Sequence, residues 1–339
     1  MTGEGPSIWQ VSDGRAGNAA QVRAIVSALY NEERWARFSA ITGQGHRSEP
    51  VLLSPRAPWT WLPGARWPFP LAALPNAQRY LFQPPWPTLW IAAGRRSAPY
   101  TRLIKRLSGG ATFTVQMLDP KCDPNDFDLV VVPEHDGLSG PNVIQTIGSP
   151  SHFSEDAIEQ AKADYRPPAT GSGKTAIVIL GGDSKAHTFT DEAAISLLRQ
   201  LETALASGWA LKLTTSRRTP PHIVERFRKF SEVSGSDFWA GPEDGPNPYL
   251  GWLIYADAAI VTEDSANMLC DAAWHGLPIH IARFEGSSAK FDRLHQSLIN
   301  RGAARWFDGA LEQWIYEPLR EAERVAGMIV QALRDRDAA

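Results

Sequence analysis

The segment from Ala258 to Ile281 constrains the fold of this chain more than any other. A short apolar run, Ala258–Val261, leads through a polar loop into a helical stretch, which Gly276-Leu277-Pro278 separates from a second apolar run. An apolar run that ends in turn and cap residues is typical of a buried strand, and a glycine followed by a proline ends a helix. The segment therefore predicts a strand–helix–strand unit.

Polar side chains at the start of the predicted helix suit a nucleotide. Asp264 or Ser265 is expected to cap the helix, whose first-turn N–H groups form an anion site. Asp271 lies one to two turns further on, where a carboxylate can accept hydrogen bonds from ribose hydroxyls. A nucleotide diphosphate fits this arrangement, but an ordinary strand–helix unit explains the segment equally well.

Two further strand ends carry the same chemistry. The unbroken apolar run Thr175–Leu180 reads as a buried parallel strand, ends in Gly181-Gly182-Asp183-Ser184-Lys185 and precedes a helix from about Thr190 to Ser207. A strand over Ala210–Thr214 ends in Thr215-Ser216-Arg217-Arg218. Paired glycines let the backbone approach a ligand, and arginines bind phosphate or carboxylate. Because ligands bind at the carboxyl edge of open α/β sheets, these loops predict an anion site.

Motifs along most of the chain carry a family resemblance. They are Trp9-Gln10-Val11-Ser12-Asp13-Gly14-Arg15 with Gly17, Asn18 and Gln21, then Pro133–Asp136, Gly181–Ser184, Thr215–Thr219, Asn247–Tyr249, and Thr262–Ser265 with Asn267 and Met268. The second half resembles the donor half of GT-B glycosyltransferases, such as the peptidoglycan lipid-linked N-acetylglucosaminyltransferase. The whole chain is more closely similar to the family named after a plant mitochondrial fission factor, whose bacterial members are regarded as GT-B-like glycosyltransferases.

The resemblance implies an α/β fold of the GT-B type, with two Rossmann-like domains whose parallel sheets face an interdomain cleft. We expect an acceptor domain over 1–165, a donor domain over 174–310, and a C-terminal helix within 311–339, from about Leu311 to Arg334, that crosses back to the first domain. The Pro- and Gly-rich stretch 164–173 is the expected linker. The family implies no cofactor beyond the nucleotide-sugar co-substrate, and no metal; no cluster of His, Cys and carboxylate residues has metal-ligand spacing.

The donor site follows from the three strand ends. We expect phosphate to contact Ser184, Lys185, Arg217, Arg218 and Ser265, and ribose to contact Asp271. The full predicted donor set is Gly181, Gly182, Asp183, Ser184, Lys185, Arg217, Arg218, Glu263, Asp264, Ser265, Asn267 and Asp271.

The first half supplies the candidates for the catalytic base. Asp13 ends the first predicted strand, Ile8–Val11, and Glu134 and His135 follow a predicted strand over Leu129–Val132. Any of these groups can take the proton of an acceptor hydroxyl, and His135 can titrate near neutral pH. The sequence does not choose between them, and a polar turn explains residues 133–136 as well.

The segment from Pro50 to Leu118 departs from ordinary α/β composition. It has no Asp or Glu, eight basic residues, five tryptophans and eleven prolines: Arg56, Arg66, Arg79, Arg95, Arg96, Arg102, Lys105 and Arg106, with Trp59, Trp61, Trp67, Trp86 and Trp90. Indoles beside cations are typical of a surface that binds anionic lipid headgroups. A packed insertion with buried tryptophans is the alternative.

Composition narrows the remaining possibilities. A net charge of −3 over 339 residues gives no general attraction to nucleic acid. Two distant cysteines form no disulfide framework. We recognise no signal peptide and no apolar run near the ~20 residues that span a bilayer. We expect a cytoplasmic protein, attached peripherally to the inner face of the membrane if the Pro50–Leu118 segment binds lipid.

The sequence thus favours a glycosyltransferase that moves a sugar from a nucleotide-sugar donor to a lipid-linked or envelope-glycan acceptor at the cytoplasmic membrane face. Two alternatives stay open. One is a nucleotide-sugar epimerase of the same fold, and the other is a non-catalytic membrane adaptor related to mitochondrial fission factors.

Overall fold

The chain divides into two compact units. The computed structural model describes residues 7–42, 47–62, 67–165, 173–286 and 288–338. Unit 1 comprises Met1–His152 and Arg320–Ala339, and unit 2 comprises Phe153–Leu319. Most of the predicted linker, 164–173, lies outside the described residues, as does Arg66. Each unit holds a six-stranded parallel sheet, which confirms the predicted class of two Rossmann-like α/β units.

Unit 1 is built around a sheet in which the strands lie in the order β2-β1-β3-β4-β5-β6. Its elements along the chain are β1 (Ser7–Ser12), α1 (Ala16–Leu29), α2 (Glu32–Thr42), β2 (Arg47–Leu52), α3 (Asn76–Arg79), β3 (Leu89–Ala93), α4 (Ala98–Leu107), β4 (Phe113–Met117), β5 (Leu129–Pro133) and β6 (Val143–Thr146). The helix α11 (Glu321–Ala338) completes this unit.

The central strands of unit 1 are buried on both faces. In β3, Leu89 and Ile91 join a core that includes α1 and α11, whereas Trp90 and Ala92 join a second core with α4. Successive side chains of a strand point to opposite faces. An almost wholly apolar strand is therefore what a sheet covered on both sides requires.

Helix α11 begins later than the sequence indicates. The predicted helix from about Leu311 is wrong at its start, because residues 311–320 have no regular secondary structure and α11 spans Glu321–Ala338. Its apolar stripe, which includes Val325, Ile329 and Leu333, is buried in the core that α1 lines. Spacings of four residues place these side chains on one helix face.

Unit 2 is built around a sheet in the order β10-β9-β7-β11-β12-β14. Its elements are α5 (Glu155–Asp164), β7 (Thr175–Leu180), β8 (His187–Thr188), α6 (Asp191–Ala206), β9 (Ala210–Thr215), α7 (Pro221–Ser234), β10 (Asp237–Trp239), α8 (Tyr249–Tyr255), β11 (Ala258–Thr262), α9 (Ala266–Trp274), β12 (Ile279–Ala282), β13 (Glu285–Gly286), α10 (Ala289–Asn300) and β14 (Ala304–Trp306). β8 and β13 form a separate antiparallel pair. The three strands predicted to carry the donor site, β9, β7 and β11, are adjacent.

The Pro50–Leu118 segment contains part of the sheet. It supplies β3, α4 and β4, and the connection between β2 and β3 is the part rich in tryptophan and proline. Trp67 and Trp90 are buried in the core beside α4, and Trp59 and Trp86 pack against it half-buried. Trp61 alone among the five is exposed. Within the described ranges, no helix is both long enough and apolar enough to cross a membrane.

Burial of α11 gives the first prediction. Ile329→Ala should lower the free energy of unfolding by about 2–5 kcal/mol, because it removes a fully buried side chain. Met328→Ala, on the exposed side of the same helix, should change it by less than about 0.5 kcal/mol. Urea denaturation of both variants decides the matter. Equal effects would show that α11 is not part of the core.

Candidate functional site

Three loops at the carboxyl edge of the unit 2 sheet meet around the carboxylate of Asp264. Its side chain is 0% exposed. Oδ2 accepts hydrogen bonds from the N–H of Gly182 at 3.0 Å and from Nη2 of Arg218 at 2.8 Å, and Oδ1 accepts one from the hydroxyl of Thr262 at 2.7 Å. The hydroxyl of Ser265 also donates to Oδ2, at 3.3 Å. One buried charge thus connects the loops after β7, β9 and β11.

The paired glycines serve these loops directly. A Cβ at Gly181 would overlap the carboxylate of Asp264, and a Cβ at Gly182 would overlap the main chain of Arg218 and Thr219. The sequence predicts glycines here for close approach to a ligand. The structure shows that they first allow close approach of the protein's own loops.

Helix α9 presents an uncapped N-terminus to this edge. Ser265 is the N-cap residue, but no side chain makes a capping hydrogen bond. The predicted cap by Asp264 or Ser265 is therefore wrong: the Ser265 hydroxyl donates to Asp264, whose own oxygens are held by the neighbouring loops. Within the part of the chain that the structure describes, the N–H groups of Ala266, Asn267 and Met268 have no hydrogen-bond partner. They carry the positive end of the helix dipole.

A pocket of about 680 Å³ opens at this helix end. Six of the twelve predicted donor residues line it, together with aromatic side chains that the sequence did not single out. The lining is Thr214, Thr215, Ser216, Arg217, Arg218, Trp239, Asn247, Tyr249, Asp264, Ser265, Ala266, Asn267, Met268, Asp271 and Phe291. Its size is ordinary for a small-molecule site.

The two arginines of the pocket differ. Arg218 pairs with Asp264 and also donates through Nη1 to the carbonyl of Asp183 at 3.3 Å, so it connects the loops after β7, β9 and β11. Arg217 is exposed at the pocket. Among the described residues no carboxylate pairs with Arg217, which leaves its guanidinium available to an anionic ligand.

Asp271 and Tyr249 form a pair on the pocket wall. The Tyr249 hydroxyl donates to Oδ2 of Asp271 at 3.1 Å. Burial and the nearby charge of Asp271 raise the pKa of Tyr249 well above its usual value, so the phenol stays protonated and keeps donating. Asp271 lines the pocket and its carboxylate is oriented by the protein; its contact with a ribose stays a prediction.

Besides Gly181 and Gly182, four predicted donor residues lie outside the pocket lining. Asp183 accepts from the N–H of Phe189 at 2.9 Å, and Ser184 accepts from the N–H groups of Ala186 and His187 at 3.1 and 3.0 Å. Lys185 is exposed on the same loop. These contacts stabilise the turn after β7.

Glu263 is the fourth of these residues. Its carboxylate accepts a hydrogen bond from the N–H of Phe284, and its carbonyl accepts one from Nε2 of His295 at 2.9 Å. Burial raises the pKa of Glu263 above its usual value. Glu263 therefore holds the loop after β11 through contacts with Phe284 and His295, which lie outside the pocket lining.

Trp239 and Phe291 are the pocket residues that sequence reasoning missed. Trp239 ends β10, next to β9, and its Nε1 donates to the carbonyl of Gly245 at 3.0 Å. The indole therefore stands fixed at the same carboxyl edge as the arginines. The sequence contained a signal for Trp239, because in alternating strands and helices every parallel strand ends at the carboxyl edge of the sheet. A strand of three residues is, however, hard to recognise in a sequence.

The base candidates of unit 1 lie at the ends of β1 and β5. Asp13 is 3% exposed in its side chain, accepts from Nδ2 of Asn18 at 3.1 Å and lies 3.6 Å from Nε of Arg15. His135 is buried, with Nε2 3.9 Å from Oδ1 of Asp136, and Glu134 is half-buried in the same turn. β3 and β4 separate β1 from β5, which puts the two ends about 14 Å apart at ~4.8 Å per strand. Asp13 and His135 therefore cannot serve the same proton.

The two Rossmann-like α/β units define the structural class of the protein, and comparison with known sequences defines its family. A family model described as mitochondrial fission ELM1 matches residues 16–333. The chain belongs to this family, which confirms the resemblance seen in its motifs. The mitochondrial fission protein ELM1 of Arabidopsis thaliana is 25% identical over 289 residues, covering 77% of this chain and 67% of that protein.

Solved structures share the fold at low sequence identity. The UDP-GlcNAc 2-epimerase of Methanocaldococcus jannaschii aligns with a TM-score of 0.53 and 9% identity, over 96% of this chain and 99% of that one. Phytolacca americana UGT2, complexed with UDP-2fluoro-glucose and pterostilbene, aligns with a TM-score of 0.51 and 11% identity, over 99% and 95%. Both units therefore have the fold of GT-B glycosyltransferases and UDP-sugar epimerases.

The close packing at Gly182 gives the second prediction. Gly182→Ala should lower the free energy of unfolding by about 1–3 kcal/mol, because the new Cβ would overlap the main chain of Arg218 and Thr219 and force that loop to shift. Gly327→Ala is the control: it lies inside α11 with no atom near the new Cβ, and should stabilise by about 0.5–1 kcal/mol. Thermal unfolding of both variants tests this. A Gly182→Ala protein as stable as the original would mean that the loops do not pack as described.

Proposed function

We propose that the protein is a glycosyltransferase that takes its sugar from a nucleotide-sugar donor bound in the unit 2 pocket. The observation that carries the proposal is the convergence, in one pocket, of the uncapped α9 N-terminus, Arg217 and the Asp271–Tyr249 pair. Free amides and a guanidinium favour a diphosphate, and an oriented carboxylate favours ribose hydroxyls. Trp239 offers a flat face to a base.

The chemistry follows from this charge distribution. The oxygen of an acceptor hydroxyl attacks the anomeric carbon, the bond from that carbon to the donor phosphate oxygen breaks, and the nucleoside diphosphate leaves with the electron pair. Negative charge grows on the leaving phosphate, where the N–H groups of residues 266–268 are already oriented and the Arg217 guanidinium is available. Donors fixed before the reaction are the largest single contribution in many enzymes.

The proton of the acceptor hydroxyl is proposed to go to a group of unit 1. Asp13, His135 and Glu134 are the three candidates, and Glu134 lies beside His135 in the chain. The acceptor is proposed to be a lipid-linked or envelope glycan at the cytoplasmic face of a membrane. Support for the membrane comes from the basic, tryptophan-rich composition of the Pro50–Leu118 segment.

Two observations favour alternatives. The structural similarity to a UDP-GlcNAc 2-epimerase favours epimerisation, which would convert the donor without any acceptor, whereas a transferase at most hydrolyses it slowly. The Arabidopsis relative is named for mitochondrial fission, which favours a membrane adaptor. An adaptor without a nucleotide site would gain no stability from added nucleotide, because only a ligand of the native state raises its stability.

Arg217 gives the third prediction. Arg217→Ala should weaken binding of a nucleoside diphosphate by about 1–3 kcal/mol, roughly 5- to 150-fold, because it removes a charged hydrogen-bond donor. Binding of the matching nucleoside, which lacks phosphate, should not change. Arg199→Ala, an exposed arginine on α6, is the control. Titration calorimetry measures the affinity of the original protein and of both variants for the nucleoside diphosphate and for the nucleoside. If Arg217→Ala binds the diphosphate as tightly as Arg199→Ala does, the phosphate site is elsewhere.

The base candidates give the fourth prediction. Asp13→Asn and His135→Ala should each leave nucleotide affinity unchanged, and one of them should lower turnover by roughly 100-fold or more. The other should have a small effect, because the two side chains are too far apart to share a proton. Sugar transfer with a glycolipid acceptor is the assay. Full activity in both variants would refute Asp13 and His135 as the base.

A further inference from the structure

A second cavity lies on the α4 side of unit 1. Its volume is about 430 Å³, and its walls come from Trp67 with neighbouring prolines on one side and from α4 on the other. Helix α4 contributes Arg102, Lys105 and Arg106. Spacings of three and four residues place Arg102 beside Lys105 and Arg106 on one face of the helix. Asn125 and Asp126 complete the lining, so the cavity combines apolar side chains with three cations and one carboxylate.

The cations of this cavity are only partly neutralised. Arg102 pairs with Asp126 at 2.8 Å, and Lys105 pairs with Asp128 at 3.0 Å. Arg106 is exposed, and in the described part of the chain no ion pair holds its guanidinium. Both pairs are partly exposed, where an ion pair contributes little stability. Arg106 is therefore the cation that an incoming phosphate contacts, and Arg102 and Lys105 add positive charge beside it that Asp126 and Asp128 only partly offset.

Large apolar side chains stand exposed beside the cavity. Trp61 is 80% exposed and Phe69 is 70% exposed. Phe69 lies between Pro68 and Pro70, which both line the cavity. The Trp67 indole donates to the carbonyl of Leu62 at 3.2 Å, which holds Trp61 and the exposed Leu62 close to the same wall.

This combination fits a bilayer better than a soluble ligand. A soluble phosphate compound needs the cavity, but it gives no reason for exposed Trp61 and Phe69 at its rim. Water disfavours such side chains, whereas the interfacial zone of a bilayer favours aromatic rings. Because Pro50–Leu118 contains no Asp or Glu, Asp126 is the one acidic residue among the described residues of the cavity lining, and repulsion of anionic lipid is small.

We propose that this face of unit 1 binds the surface of an anionic phospholipid bilayer, with a lipid phosphate in the α4 cavity and with Trp61, Leu62 and Phe69 inserted among the headgroups. The inference deepens the proposed function, because it rests on that function for the lipid-linked acceptor that such a surface would supply. Lipid binding itself requires neither nucleotide nor catalysis, so the two can fail separately.

Vesicle binding tests the proposal, and neighbouring residues provide matched controls. The full chain is sedimented with vesicles of phosphatidylcholine containing phosphatidylglycerol, and with phosphatidylcholine alone. Arg106→Glu is compared with Arg79→Glu, the same charge change in the same segment but outside the cavity lining. Phe69→Ala is compared with Tyr80→Ala, another exposed aromatic residue of this segment. Thermal unfolding verifies that each variant folds.

The proposal expects binding to the phosphatidylglycerol vesicles that weakens with salt. Arg106→Glu should weaken it at least about fivefold, the equivalent of ~1 kcal/mol per basic residue, and Phe69→Ala and Trp61→Ala should each weaken it by several-fold. Arg79→Glu and Tyr80→Ala should have clearly smaller effects.

Three results would overturn the proposal. If equal amounts of protein sediment with both kinds of vesicle, the face does not select anionic lipid. If Arg106→Glu and Arg79→Glu weaken binding equally, the attraction depends only on the overall charge of the segment, and the cavity is not a lipid phosphate site. Binding that Trp61→Ala and Phe69→Ala leave unchanged, and that glycerol phosphate abolishes, makes the cavity a site for a soluble phosphate. Nucleotide affinity, measured in parallel, shows whether the proposed function stands in each case.

Discussion

The buried carboxylate of Asp264 is the interaction on which the candidate site depends. A carboxylate removed from water is stable only when its oxygens are hydrogen-bonded and its charge is balanced. Here a backbone N–H, two hydroxyls and a guanidinium satisfy it, and they belong to the three loops at the carboxyl edge of β7, β9 and β11. The same constraint explains why Gly181 and Gly182 cannot carry a Cβ, since the carboxylate and the Arg218 main chain occupy that space. Loss of the Asp264 carboxylate would leave all four of these donors without this acceptor at once.

This arrangement separates the groups that build the site from those that face a ligand. Asp264, Arg218 and Ser265 are engaged with one another, so they hold the loops and leave the first turn of α9 uncapped. The remaining positive groups, the three helix amides and Arg217, face the pocket. A positive helix end beside a free cation stabilises an anion at a fixed position. In unit 1 these two roles are not separated in the same way. The candidate base Asp13 is itself held by Asn18 and Arg15, and its side chain is almost fully buried.

Much of the fold follows from the sequence, since an apolar run bounded by turn residues has few alternatives. The strands that begin at Leu129 and Thr175 lie where the pattern predicts them, and the order of alternating strands and helices is enough to bring the three loops together. The errors have local physical causes. Ser265 looks like a cap, but a buried acceptor one residue away captures its hydroxyl. Residues 311–320 have helical composition, but in the structure they run as irregular chain, with the Tyr316 hydroxyl bonded to the carbonyl of Leu277. Most of the tryptophans, read as interfacial, are buried or half-buried against the core beside α4, because composition does not show which face of a segment packs inward.

The central claim is that a nucleoside diphosphate binds at the N-terminus of α9. A crystal structure of the protein with a bound nucleoside diphosphate tests it most directly. We expect diphosphate oxygens within hydrogen-bond distance of the N–H groups of residues 266–268 and of the Arg217 guanidinium, with a ribose hydroxyl at Asp271. A diphosphate bound at another edge of either sheet, or a pocket that stays empty at saturating nucleotide, would contradict it.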